Sequence, residues 1–340
     1  MFKRILSSVT DRIYELPVLV LMPHSRCNCR CVMCDIWKAN QEKHEISIEL
    51  LRQHANDFKK LGVARVALSG GEALMHSNLW AFCEELRSIG TKISLLSTGI
   101  TLEHHAKEIV KYCDDVIVSL DGNRDTHNEI RNIPMAFEKL EKGVRAIKSI
   151  QSSFRVTGRT VLQKRNFRVF QEIVTAARDM GLDQISFLAA DVSSMAFNRA
   201  QPWETSKVSE IALSIPEVNE FETILKRSHK ELAREYDSQF IAESSIKLLG
   251  LVQYYRALHG VGMFPLKACN APWVSAVIES SGEVLPCFFH KSYGNINVRS
   301  FSEIINSAEA ISFRKSLDIQ TNPTCQRCVC SLHVGITQSV

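Results

Sequence analysis

Over the first 190 residues, hydrophobic and polar positions follow two alternating rhythms. Short apolar, β-branched runs at 18–22, 64–68, 92–97, 115–120, 155–162 and 184–189 predict strands. Between them, apolar residues recur at helical spacing. In "SIELLRQHANDFKKLG" Ser47 is placed to cap a helix and Gly62 to end it, and Gly181 ends "NFRVFQEIVTAARDMGL" in the same way. Six strand–helix units in series imply parallel strands joined by right-handed crossovers. The expected fold class is α/β, a partial (β/α)6 barrel of the TIM type, with its chemistry at the C-terminal ends of the strands. From 191 to 262 the strand rhythm stops. Ser214 can cap a helix beginning at Pro216, and "SSIKLLGLVQYYRALHG" predicts a second helix ending at Gly260. A small α+β extension follows, with a hairpin in "WVSAVIESSGEVLPC" turning near Ser281 and Gly282 and a helix over 301–317. The expected division is an N-terminal segment 1–16, a barrel core 17–190, a helical connector 191–262 and a cysteine-bearing extension 263–340.

Composition narrows the class. The 340 residues are 45% hydrophobic and 23% charged, ordinary for a globular chain that can bury a sizeable core. A net charge of +4, from 41 basic and 37 acidic residues spread along the chain, is no nucleic-acid footprint. The apolar run "LPVLVLMP" is far shorter than the ~18 residues of a membrane span, so it predicts a buried strand. The start "MFKRILSSVTDR" has no apolar signal-peptide core, which predicts a cytoplasmic protein. In that compartment eleven cysteines point to metal or redox chemistry over disulfides, and nine of them fall in two groups.

The first group is "CNCRCVMCDIW", where Cys27, Cys31 and Cys34 form a CxxxCxxC frame directly after the first strand. Cys29 is left over, or completes a four-thiolate cluster or zinc site. After the second strand comes "LSGGEAL" with Gly70, Gly71 and Glu72, and after the fourth "VSLDG" with Ser119 and Asp121, followed by Arg131. Parallel strands bring all three segments to one rim. The second group is Cys269, Cys287, Cys325, Cys328 and Cys330, the last three in "CQRCVC". A four-thiolate zinc ribbon is the alternative for these. Cys83 and Cys113 lie on helical patterns and are expected to be buried small hydrophobes. Asp191, after the sixth strand, and His290, in the extension, are the candidates for touching substrate or moving a proton.

With CxxxCxxC, GGE and SLDG in this order, the chain resembles the radical S-adenosylmethionine superfamily. The resemblance implies a 4Fe-4S cluster on Cys27, Cys31 and Cys34, with one iron left open for S-adenosylmethionine. It also implies a cofactor pocket of Gly70, Gly71, Glu72, Ser119, Asp121 and Arg131. Met33 stands where the family usually has an aromatic residue, and its thioether can pack against adenine. The second cysteine group resembles the twitch extension, related to the longer SPASM extension. That implies one auxiliary 4Fe-4S cluster on Cys269, Cys287, Cys325 and Cys328, with Cys330 as a substitute ligand or idle.

The implied activity is reductive cleavage of S-adenosylmethionine to a 5′-deoxyadenosyl radical that abstracts hydrogen from a substrate, with flavodoxin or ferredoxin as reductant. Similar enzymes with one auxiliary cluster include an aminocyclitol dehydrogenase and a cyclase making a molybdopterin precursor. Only twenty-six residues precede Cys27, too few for the leader-binding domain of many peptide-modifying members. A sugar, cyclitol or nucleotide derivative is therefore favoured over a peptide. The alternative from another class is a non-enzymatic iron–sulfur or zinc module.

Overall fold

The computed structural model describes residues 2–199, 201–338 and 340. Six parallel strands, β1 (Val18–Leu21), β2 (Arg65–Leu68), β3 (Lys92–Ser97), β4 (Asp115–Ser119), β5 (Arg155–Leu162) and β6 (Gln184–Ala189), lie side by side in chain order. Each is followed by helix, and together they form the partial TIM-type barrel. In β5 alternate residues differ in burial: Val156, Gly158, Thr160 and Leu162 are buried, while Thr157, Arg159 and Val161 on the opposite face are half-buried. Arg159 and Val161 line the lumen, which puts the buried row outside, against the helices.

The caps act where the chain pattern predicts. Ser47 accepts the amide of Leu50 at the start of the Ile48–Lys60 helix, and Gly62 and Gly181 follow helices with positive φ. Ser214 and Glu217 form a capping box on the Ile215–Glu231 helix. The Ser245–Leu258 helix fastens the barrel's open end. Its Tyr255 hydroxyl accepts from Ala190 N at 3.0 Å and donates to Leu162 O at 2.6 Å, and Tyr254 donates to Ala190 O at 3.2 Å.

Two features differ from the sequence reading. The helix expected over 301–317 is two helices, Phe301–Ile305 and Ala308–Ser316, because Ser307 breaks the first and caps the second by accepting the amide of Ala310. The C-terminal hairpin, β7 (Ser275–Ile278) and β8 (Glu283–Leu285), with β9 (Gly294–Asn295) beyond it, continues the barrel sheet. Its first strand runs parallel to β1, with Val18 opposite Ser275 on one side and Arg65 on the other. Gly282, at φ +89°, makes the turn. Among the described residues no helix is long and apolar enough to cross a membrane.

Candidate functional site

The cluster loop after β1 has few regular hydrogen bonds of its own. Its backbone hangs on the end of the Arg124–Arg131 helix, whose last carbonyls lack helical partners: Arg30 N donates to Arg131 O at 3.2 Å and Val32 N to Ile130 O at 3.1 Å. The loop after β2 packs against it from the other side. A Cβ on Gly71 would lie 2.0 Å from the carbonyl oxygen of Arg26, and Gly70 has φ +105°. The glycine pair is thus required by contact between two protein loops, before any ligand is considered.

One cavity opens at the C-terminal ends of the strands, its roughly 970 Å³ of non-atom space running out into solvent. Cys27, Cys31 and Cys34 line it together with Met33, Gly70, Gly71, Ser119, Arg131 and Asp191. Each of the three thiols already receives an N–H: Cys29 N to Cys27 at 3.4 Å, Arg131 Nη1 to Cys31 at 3.5 Å and Ile36 N to Cys34 at 3.5 Å. Such donors stabilise thiolate sulfur, as a cluster's ligands need. Burial pushes the Cys27 thiol up and that of Cys34 to about 12, so both would ionise on meeting iron. Cys31 is pulled the other way, to about 7, by the thiol of Cys29 and by Arg131. Cys29 itself is fully buried and is not among the residues lining the cavity.

Two predicted pocket residues stand behind the wall. The Glu72 carboxylate is fully buried and holds the end of β3, accepting from Thr98 N at 2.7 Å, Ser97 Oγ at 3.0 Å, the Thr98 hydroxyl, and Leu74 N at 3.2 Å. Burial raises its pKa and these hydrogen bonds oppose the rise. Ser97 and Thr98, absent from the sequence reading, are what the cavity meets there. Asp121 is also fully buried, ion-paired with Arg131 and accepting Val161 N at 3.0 Å. In this structure Glu72 holds Ser97 and Thr98 in place. Glu72→Gln sets an amide N–H2 among donors, which should cost about 1–3 kcal/mol of stability and weaken S-adenosylmethionine binding through a displaced Thr98. Parallel melting and calorimetry check it, and unchanged melting with weakened binding would instead mean direct contact with the ligand.

Asp191 reaches the cavity but is engaged by its own loop. It pairs with Arg199 at 2.8 Å, with both side chains almost inaccessible. The Arg199 guanidinium lies 3.7 Å over the Trp203 ring, and Trp203 Nε1 donates to Asp35, next to Cys34, at 2.8 Å. Arg199 and Trp203 thus link Asp191, after β6, to the cluster loop. Arg159, Phe197 and Arg199 complete the wall and were also missed from sequence, although a charge inside the apolar strand "RVTGRTVL" was a visible signal for Arg159.

A second cavity in the C-terminal region is lined by Cys269, Cys287, Cys325, Cys328 and Cys330, with Lys267 and His290. His290 Nε2 lies 3.3 Å from the sulfur of Cys325, and Cys330 N donates to that of Cys328 at 3.3 Å. Burial raises the thiols of Cys287, to about 12, and Cys325, to about 11. His290 therefore belongs to this cysteine cavity and does not line the barrel cavity. Cys83 and Cys113 are buried in the core.

Comparison with known proteins agrees with this arrangement. A family model described as the radical SAM superfamily matches residues 21–187, and one described as an iron–sulfur cluster-binding domain, SPASM, matches 269–329. The AdoMet-dependent heme synthase of Methanosarcina barkeri is 25% identical over 309 residues, 86% of this chain and 82% of that protein. The antilisterial bacteriocin subtilosin biosynthesis protein AlbA of Bacillus subtilis is 24% identical over 289 residues, 83% of this chain and 58% of that one. In fold, Streptococcus suis SuiB bound to S-adenosylmethionine superposes with a TM-score of 0.66 at 13% identity, over 96% of this chain and 75% of SuiB. With both family models matched in the order that the two cysteine cavities occupy along the chain, the protein is an enzyme of the radical SAM superfamily that carries a SPASM iron–sulfur domain.

Proposed function

We propose that the enzyme oxidises or rearranges a small metabolite, with Cys27, Cys31 and Cys34 holding the 4Fe-4S cluster that binds S-adenosylmethionine and Cys269, Cys287, Cys325 and Cys328 holding one auxiliary 4Fe-4S cluster. When bound, the first cluster and S-adenosylmethionine supply a 5′-deoxyadenosyl radical that takes hydrogen from the substrate. The observation that carries the reading is the convergence of three N–H-supported thiols, the glycine pair and Ser119 on one cavity. The protein's own contribution is placement and exclusion of water. Ser97, Thr98 and Ser119 offer hydroxyls to the cofactor's polar groups, Met33 offers a flexible apolar surface, and Trp203 tethers the cluster loop through Asp35.

A metabolite such as a sugar, cyclitol or nucleotide derivative is the first reading of the substrate. An iron tetrapyrrole joins that group because the M. barkeri relative is named a heme synthase. A peptide substrate is the second reading, supported by the likeness to AlbA. Flavodoxin or ferredoxin is the expected reductant, and the cytoplasm the expected location.

Anaerobically reconstituted protein should hold about eight irons per chain, and the triple alanine variant of Cys27, Cys31 and Cys34 about four. Under dithionite the wild type should form 5′-deoxyadenosine, and faster with the correct substrate. Zinc in place of iron at the C-terminal cavity would remove the auxiliary-cluster assignment. No 5′-deoxyadenosine under any condition would count against the whole reading.

A further inference from the structure

Three arginines reach the barrel cavity, and two are neutralised by buried aspartates. Arg131 is paired with Asp121, and Arg199 with Asp191 at 2.8 Å. Among the described residues Arg159 has neither an ion pair nor a side-chain hydrogen bond. It stands on the lumen face of β5, opposite Ser119 of β4 and Ser186 of β6. Glu243 and Cys330 are close enough to feel its charge, but neither pairs with it, and the Glu243 carboxylate accepts Phe187 N at 2.9 Å.

A half-buried guanidinium in a protein-walled cavity is costly without a partner. Its planar fork matches carboxylate or phosphate oxygens, with two parallel N–H donors for two oxygens. We propose that Arg159 anchors an oxyanion of the substrate, so that the small molecule oxidised here carries a carboxylate or a phosphate group. The inference rests on reading this cavity as the joint pocket of S-adenosylmethionine and substrate. The rival partner is the cofactor's own carboxylate, and the test separates the two.

Calorimetry on reconstituted, S-adenosylmethionine-loaded protein would use inorganic phosphate and succinate as probes, with wild type, Arg159→Lys and Arg159→Gln. At least one anion should bind the wild type. Its affinity should fall about tenfold or more in Arg159→Gln and less in Arg159→Lys, because lysine keeps the charge and loses the fork. A preference for phosphate would indicate a phosphorylated substrate, and one for succinate a carboxylic acid. Affinity for S-adenosylmethionine should stay within about twofold and melting should match the wild type, which separates anion binding from misfolding. The proposal is overturned if neither anion binds the wild type, if Arg159→Gln binds them equally well, or if that variant loses S-adenosylmethionine affinity while anion affinity persists. Failure of the wild type to form 5′-deoxyadenosine would sink the radical-enzyme reading alone and leave the anion result standing.

Discussion

Replacing Cys31 by alanine should remove about four irons from reconstituted protein and abolish S-adenosylmethionine cleavage, whereas Cys29→Ala should keep both. The two residues are separated by Arg30 alone, yet they face different surroundings. Cys31 lines the barrel cavity with Cys27 and Cys34, and Arg131 donates to its sulfur at 3.5 Å. Cys29 is fully buried in the hydrophobic core and does not line the cavity. Its loss should cost about 1 kcal/mol as a small buried hydrophobe and raise the Cys31 thiol. Iron analysis and 5′-deoxyadenosine yield on the two variants decide the point. Equal iron loss in both would show that the ligand set is misassigned.

Asp121→Asn should lower stability by about 3–5 kcal/mol, because it leaves the Arg131 guanidinium charged, buried and unpaired. Against a total of roughly 5–15 kcal/mol for a typical domain, that is a large fraction. Iron content should fall as well, since the cluster loop hangs on the carbonyls of Ile130 and Arg131 and the Cys31 sulfur on the Arg131 side chain. The double variant Asp121→Leu with Arg131→Met separates the two roles. With no charge left unpaired, most of the stability should return. The N–H donated to Cys31 does not return, so a deficit in iron should persist. Thermal melting and iron assay on each variant measure this, and a single variant that melts with the wild type would refute the structural role of the pair.

The chain pattern by itself determined the six parallel strands, the rim on which the chemistry sits and the two cysteine groups. Each depends on interactions within one strand–helix unit. Burial period, the Ser47 cap and the glycines at 62 and 181 are local in sequence, and the unit's handedness is set by backbone sterics. CxxxCxxC after β1 and GGE after β2 were legible for the same reason, because neighbouring parallel strands carry their C-terminal loops to one edge.

Only the tertiary structure decided which polar groups face the cavity. The spacing left Cys29 over, but only the fold buries it away from the cavity, on a loop whose path is imposed by carbonyls at 130 and 131, a hundred positions along the chain. Glu72 and Asp121, expected at the cofactor from sequence, are fully buried and hold Ser97, Thr98 and Arg131, a placement that no local pattern encodes. Arg131, placed in the pocket only through the resemblance, is buried and paired with Asp121. The placement of β7 beside β1 pairs Val18 with Ser275. Such contacts leave no periodic trace in the chain, since their energy comes from surfaces that meet only after the barrel has formed and from burying charges that only a distant partner can neutralise.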